Sequence, residues 1–112
     1  MSMSMPMPMF GTIGRLHPRP GTDHDLRALS GEWALAIRDR IPGVVVRLEG
    51  RPAERSGEVV IVVLMQDEAT YRDLAALPEQ DVWYRRLRAC LVDDPVWDDI
   101  AWDLFEVDRV AG

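Results

Sequence analysis

The sequence predicts an α+β fold in which two helices cover one face of a four-stranded antiparallel sheet. Three observations carry that prediction: one long apolar run, two stripes of apolar residues at helical spacing, and three further stretches that read as strands. The run is Glu58-Val59-Val60-Ile61-Val62-Val63-Leu64-Met65, with seven large apolar residues after Glu58, mostly β-branched, which favours a strand over a helix segment. Side chains alternate along a strand, so Val59, Ile61, Val63 and Met65 face one way and Val60, Val62 and Leu64 the other. Both faces need cover. Leaving Val60, Val62 and Leu64 in water would forgo roughly 5–9 kcal/mol, at about 1.5–3 kcal/mol per side chain. The whole net stability of a small domain is about 5–15 kcal/mol.

Taken in order, the Met/Ser/Pro alternation of residues 1–8 is low-complexity and is expected to be a disordered leader. The single domain follows over residues 9–112. Met9 to His17 alternates loosely and predicts a first strand, whose glycines suggest a bulge or a close backbone approach. Thr22-Asp23-His24-Asp25 fits a capping box. Leu26, Leu29, Trp33, Ile37 and Ile41 then recur at three- and four-residue steps, which predicts a helix over about 23–41 that Pro42-Gly43 stops.

Val44 to Glu49 predicts the second strand, apolar at first on both faces and polar later. A charged hairpin loop at 50–57 returns the chain into the apolar run. Asp67 is placed to cap the next helix, which carries Tyr71, Leu74 and Ala75 on one side. Pro78 interrupts it and suits the first turn of a continuation, striped by Val82, Trp83, Leu87, Cys90 and Leu91. Residues 100–107 predict the fourth strand. The order β-α-β-β-α-β is the ferredoxin-like, split-βαβ pattern. Two helices cannot cover both faces of its sheet, so the chain is expected to pair sheet against sheet as a homodimer or higher homo-oligomer.

Composition narrows the function. A chain of 112 residues with 47% hydrophobic and 29% charged residues has the balance of one soluble globular domain. Its net charge of −6 argues against nucleic acid, since it would repel a phosphate backbone. All thirteen basic residues are Arg, and neither Lys nor Asn occurs, so no lysine Schiff base or Asn carboxamide serves any site. The lone Cys90 forms no internal disulfide. No stretch reaches the roughly 18 apolar residues of a membrane helix. Without a recognisable signal peptide, the expected location is the cytoplasm, with no membrane partner.

Particular residues then point to a family. Pro20-Gly21 after the first strand and Ile41-Pro42-Gly43-Val44 leading into the second resemble the dimeric α+β barrel superfamily. Within it, the chain is most similar to the antibiotic biosynthesis monooxygenase (ABM) family. The likeness lies in Asp67-Glu68-Ala69-Thr70-Tyr71, Pro78-Glu79-Gln80-Asp81, Trp83-Tyr84-Arg85-Arg86-Leu87-Arg88 and Asp94-Pro95-Val96-Trp97. The resemblance implies two sheets facing each other in a barrel, and a pocket between sheet and helices in each subunit. It also implies oxygenation of flat phenols or quinols without metal or organic cofactor, by Asn, Trp, Tyr and Arg side chains. The haem-degrading branch uses a His on the second helix with an Asn and a Trp. This sequence lacks Asn and has no His in that helix, which disfavours haem degradation.

The candidate site residues follow. His17, Tyr71 and Arg86 are the candidate catalytic groups, and Trp33, Trp83 and Tyr84 the candidate substrate-binding ones. Aromatic rings can sandwich a flat substrate while an arginine holds a phenolate or carboxylate oxygen. Each also has an ordinary structural role: Trp33 and Trp83 as core, Arg85, Arg86 and Arg88 as a solvated face pairing with Glu79 or Asp81, and His17 as a strand-end histidine. No metal site is expected, since Asp93, Asp94, Asp98, Asp99 and Asp103 lack a glycine-shaped calcium loop. Two functions of different kind stay open: a cofactor-independent monooxygenase, and a non-catalytic ligand-binding or assembly protein of the same fold. A third, an isomerase or lyase, needs His17 directed into the pocket.

Overall fold

The computed structural model describes residues 6–43 and 45–106. Its elements are β1 (Met7–Leu16), α1 (Asp23–Ala36), a 3-10 turn (Arg38–Arg40), β2 (Val46–Gly50), β3 (Val59–Met65), α2 (Glu68–Ala75), α3 (Pro78–Ala89) and β4 (Val96–Leu104). The four strands form one sheet in the order β2-β3-β1-β4, antiparallel at every pairing. This is the ferredoxin-like α+β arrangement, with the apolar run β3 as an interior strand.

The register sorts the side chains. Leu16 opposes Val59 and Gly14 opposes Ile61, and Leu16, Val59, Ile61 and Met65 are buried in one core with Leu26, Leu29, Trp33 and Ile37 of the first helical segment, Leu74 of α2, and Trp83 and Leu87 of α3. All three helices therefore lie on one face. The opposite face carries Leu48 opposite Val62, Ile13 opposite Val62 and Trp102 opposite Met9. There Leu48 is 60% and Val96 56% exposed, while Val60, Val62, Ile100 and Trp102 are half-buried. Leu64 and Met9 are already buried on that face.

Two glycines in β1 mark close approaches. A methyl group on Gly11 would run into the Val63 carbonyl, and one on Gly14 into the Trp97 ring. The expected tight backbone contact is thus real at Gly11, and at Gly14 the missing side chain gives an indole its seat.

Several boundaries differ from expectation for identifiable reasons. β1 begins at Met7, and Met7 and Pro8 pair with Leu104 and Asp103, so pairing with β4 orders the end of the expected leader; residues 1–5 lie outside the described residues. α1 ends at Ala36, where the backbone tightens into the 3-10 turn, yet Ile37 and Ile41 stay buried. Thr22 caps nothing: its hydroxyl donates to the Arg19 carbonyl at 2.7 Å, and its backbone lacks the extended form that a cap adopts. Asp67 does cap, accepting from the Thr70 amide at 2.8 Å, and this hydrogen bond holds its carboxyl below the usual range. Pro78 opens a separate helix. β4 starts four residues early, at Val96, because β1 offers a full partner edge up to Arg15 and pairing overrides the low strand preference of Asp98 and Asp99. Val44 and Val107, at the ends of two expected strands, lie outside the described residues.

Candidate functional site

Between the helix-bearing face of the sheet and α1, α2 and α3 lies a cavity of about 340 Å³, within the range of roughly 300–1,000 Å³ typical of small-molecule sites. Its floor is Thr12, Arg47, Ile61, Val63, Trp97 and Asp99 from the four strands, and its walls are Trp33, Tyr71, Leu74, Gln80, Asp81, Trp83 and Tyr84 from the three helices. The helical spacing of Trp33 against Leu26 and Leu29, and of Trp83 against Leu87, turns these indoles inward with the core stripe.

Each buried indole has a partner for its N–H. Trp33 Nε1 donates to Gln80 Oε1 at 3.0 Å, and Trp83 Nε1 donates to the Leu29 carbonyl at 2.7 Å. These bonds fix both rings as rigid walls. Tyr71, half-buried, donates its hydroxyl to Asp99 Oδ1 at 2.7 Å and packs edge-on against Phe10 with centroids 5.3 Å apart. Burial, reinforced by the bond to the Asp99 carboxylate, pushes the Tyr71 pKa up to about 12. Tyr71 is therefore a hydrogen-bond donor and never a base near neutrality.

Arg47 and Asp99 both line the cavity, and neither stood among the site residues that the sequence pointed to. The guanidinium carbon of Arg47 lies 5.2 Å from the centroid of the Trp33 ring and 5.9 Å from that of Trp83. Its Nε and Nη2 are closed off from water and have no hydrogen-bond partner among the described residues. Burial pushes its pKa down, and Glu49 pulls it partly back. The guanidinium nevertheless stays charged at any ordinary pH. Cation–π contacts offset part of its desolvation, about 0.5–2 kcal/mol each. Arg47 shares its face with Val63, its partner in β3, and so points at the helices; that direction follows from strand register, which the sequence alone does not carry.

Arg47 also begins a row. It opposes Val63, Val63 opposes Thr12, and Thr12 opposes Asp99. One line across all four strands thus carries a cation at one end, a carboxylate at the other, and Val63 and Thr12 between.

The candidate residues separate cleanly by position. Trp33, Tyr71, Trp83 and Tyr84 line the cavity. His17 and Arg86 lie outside it: His17 is exposed with Nδ1 3.1 Å from Asp93 Oδ1, and Arg86 forks onto Glu32 on the outer surface, Nη2 to Oε1 at 3.0 Å. Arg85 and Arg88 pair with Asp81 and Asp94. A larger cleft of about 510 Å³ runs from Pro18 to the β2–β3 hairpin. Its guanidiniums are already engaged, Arg19 by the Leu91 carbonyl, Arg51 by Asp23 and Arg55 by Glu58, so its chemistry is spent on the fold. Among the described residues no three His, Cys, Asp or Glu side chains gather as a metal set.

No family model and no curated protein matches the sequence. Solved structures do match its fold. A protein of Caulobacter crescentus named as a candidate antibiotic biosynthesis monooxygenase superposes with TM-score 0.72 at 15% identity, over 91% of this chain and 92% of that one. The fold is that of the antibiotic biosynthesis monooxygenases. Rv0793 from Mycobacterium tuberculosis shares this ABM-like fold at TM-score 0.69 and 19% identity, over 93% of this chain and 99% of its own. SnoaB, a cofactor-independent oxygenase from Streptomyces nogalater solved with an Asn replaced by Ala, matches at TM-score 0.67 and 16% identity, over 88% and 95%. At these identities the likeness is one of ABM-like architecture. Among the described residues no helix is long and apolar enough to cross a membrane.

Proposed function

We propose that the cavity between sheet and helices binds a flat aromatic phenol or quinol, and that the protein is a cofactor-independent monooxygenase acting on it. The observation that carries the proposal is the hydrogen-bonded Tyr71–Asp99 pair set into a cavity walled by Trp33, Trp83 and Tyr84. Indole faces and the Tyr84 ring stack a flat ligand and exclude water. Asp99 accepts the proton of a substrate hydroxyl, and Tyr71 donates to hold the carboxylate in place. The resulting electron-rich anion reduces dioxygen directly. Conversion of the phenol to a quinone, with one ring C–H becoming C=O, yields four electrons in all, so one oxygen atom enters the product and the other leaves as water. No outside reductant is required.

Aerobic incubation with anthrone- and quinol-type compounds, with oxygen uptake followed, tests the reaction. Uptake above buffer that Asp99→Ala abolishes supports it, and none across a broad panel overturns it. One feature favours a second reading, a protein that binds such ligands without transforming them: the chain contains no Asn. Ligand binding without oxygen uptake would be its signature.

We further propose that a second copy of the chain covers the open sheet face, supported by the exposure of Leu48 and Val96 beside half-buried Val60 and Val62. Light scattering after size exclusion should give at least a dimer; a stable monomer at micromolar concentration overturns it. A cytoplasmic site of action fits a chain with a single, free cysteine, and cell fractionation checks it.

A further inference from the structure

We infer that the aromatic ligand carries a carboxylate at the end remote from its hydroxyl, and that Arg47 is the counter-ion that selects it. The inference rests on the reading of the cavity as a ligand site and adds the chemistry of one end of that ligand. The two unpartnered nitrogens of Arg47 are Nε and Nη2. They share one edge of the guanidinium and present two parallel N–H bonds, the pattern that a two-oxygen carboxylate matches and a single phenol oxygen does not.

The neighbourhood leaves that edge nothing else to bind. Glu49, the nearest carboxylate on the same face of β2, is taken by Ser30 at 2.9 Å and lies 3.8 Å from Arg51. Trp33 and Trp83 stand over the guanidinium; they shield it from water and lower the local dielectric, which strengthens any ion pair made there. Because both nitrogens are shut off from water, a ligand engages them through a small rotation of the arginine toward the cavity it lines.

The row from Arg47 to Asp99 sets the ligand's length. Three strand spacings of about 4.8 Å separate the backbones of β2 and β4 by roughly 14 Å, and the inward reach of both side chains leaves room for about two fused rings. Carboxylate at Arg47, rings over Val63 and Thr12, and hydroxyl at Asp99 complete the match.

Binding of 6-hydroxy-2-naphthoate and 2-naphthol to the full chain, titrated by NMR on the Trp33 and Trp83 indole signals, tests this. The naphthoate should bind about ten- to a hundredfold more tightly, the worth of hydrogen bonds to a charged group. Arg47→Met should erase that advantage by weakening the naphthoate at least about tenfold more than the naphthol. Arg47→Lys, which keeps the charge and loses the paired edge, should retain only part of it. Equal affinity for the two probes in the native chain, or equal weakening of both by Arg47→Met, overturns the carboxylate assignment and leaves the cavity reading intact. Failure of both probes to move either indole signal overturns the two together.

Discussion

Arg47 and Asp99 stand at opposite ends of one cross-strand row, joined through the pairings of Val63 and Thr12. The sheet thus presents a cation and a carboxylate to the same cavity without letting them neutralise each other. Held apart by two intervening strands, the two do not pair; Asp99 is met instead by the Tyr71 hydroxyl at 2.7 Å and by Arg72 at 3.5 Å.

The buried edge of Arg47 has a consequence for stability. An uncompensated buried charge costs more than its cation–π contacts return, so Arg47→Met should stabilise the protein by about 1–2 kcal/mol. Denaturant unfolding of native and variant chains measures this. A destabilised Arg47→Met chain would mean that the guanidinium is already well compensated.

Tyr71 gives a pH dependence of definite sign. Its pKa in the folded chain is raised from 10.0 to about 12, so the folded state favours the neutral phenol. The corresponding stabilisation is full below pH 10 and is lost as pH rises from 10 towards about 12. Unfolding midpoints recorded across that window should fall, and the fall should be smaller in Tyr71→Phe. In the native chain a tyrosinate absorbance step near pH 12, missing from Tyr71→Phe, would assign it.

Gly14 seats the Trp97 ring, and both face the core side of the sheet. Gly14→Ala should displace that ring and destabilise the fold by about 1–3 kcal/mol, the usual cost of overpacking. Gly14→Ala combined with Trp97→Ala should recover part of the loss. Thermal unfolding of the single and double variants provides the comparison.

The Trp33–Gln80 hydrogen bond joins α1 to α3 across the cavity wall. Gln80→Leu leaves the buried indole N–H without its acceptor, at a cost of about 1–3 kcal/mol. The Trp33 indole proton should exchange faster with solvent in that variant. Unchanged exchange would place another acceptor beside it.

Much of the architecture was legible because it follows from local periodicity. The β-branched run at 59–65, the stripe from Leu26 to Trp33, and Pro78 at a helix start each act over a few residues, and each lies in the element it predicted. Boundaries set by pairing were not legible. The early start of β4 at Val96 and of β1 at Met7 depends on each strand offering the other an edge, and neither segment carries that information alone.

The site divides in the same way. Trp33 and Trp83 could be placed inward from sequence because helical spacing fixes a side chain's direction once the core stripe is known. Among the arginines only the fold discriminates: Arg86 beside the aromatic cluster meets Glu32 outside, while Arg47, isolated in a short strand, is carried under two indoles. The sequence by itself determined the layers, the two-faced apolar strand and the aromatic walls, since these depend on period and hydrophobicity. Tertiary structure alone decided which charges enter the cavity, because that depends on strand order and register, which bring residues 47, 63, 12 and 99 into one line.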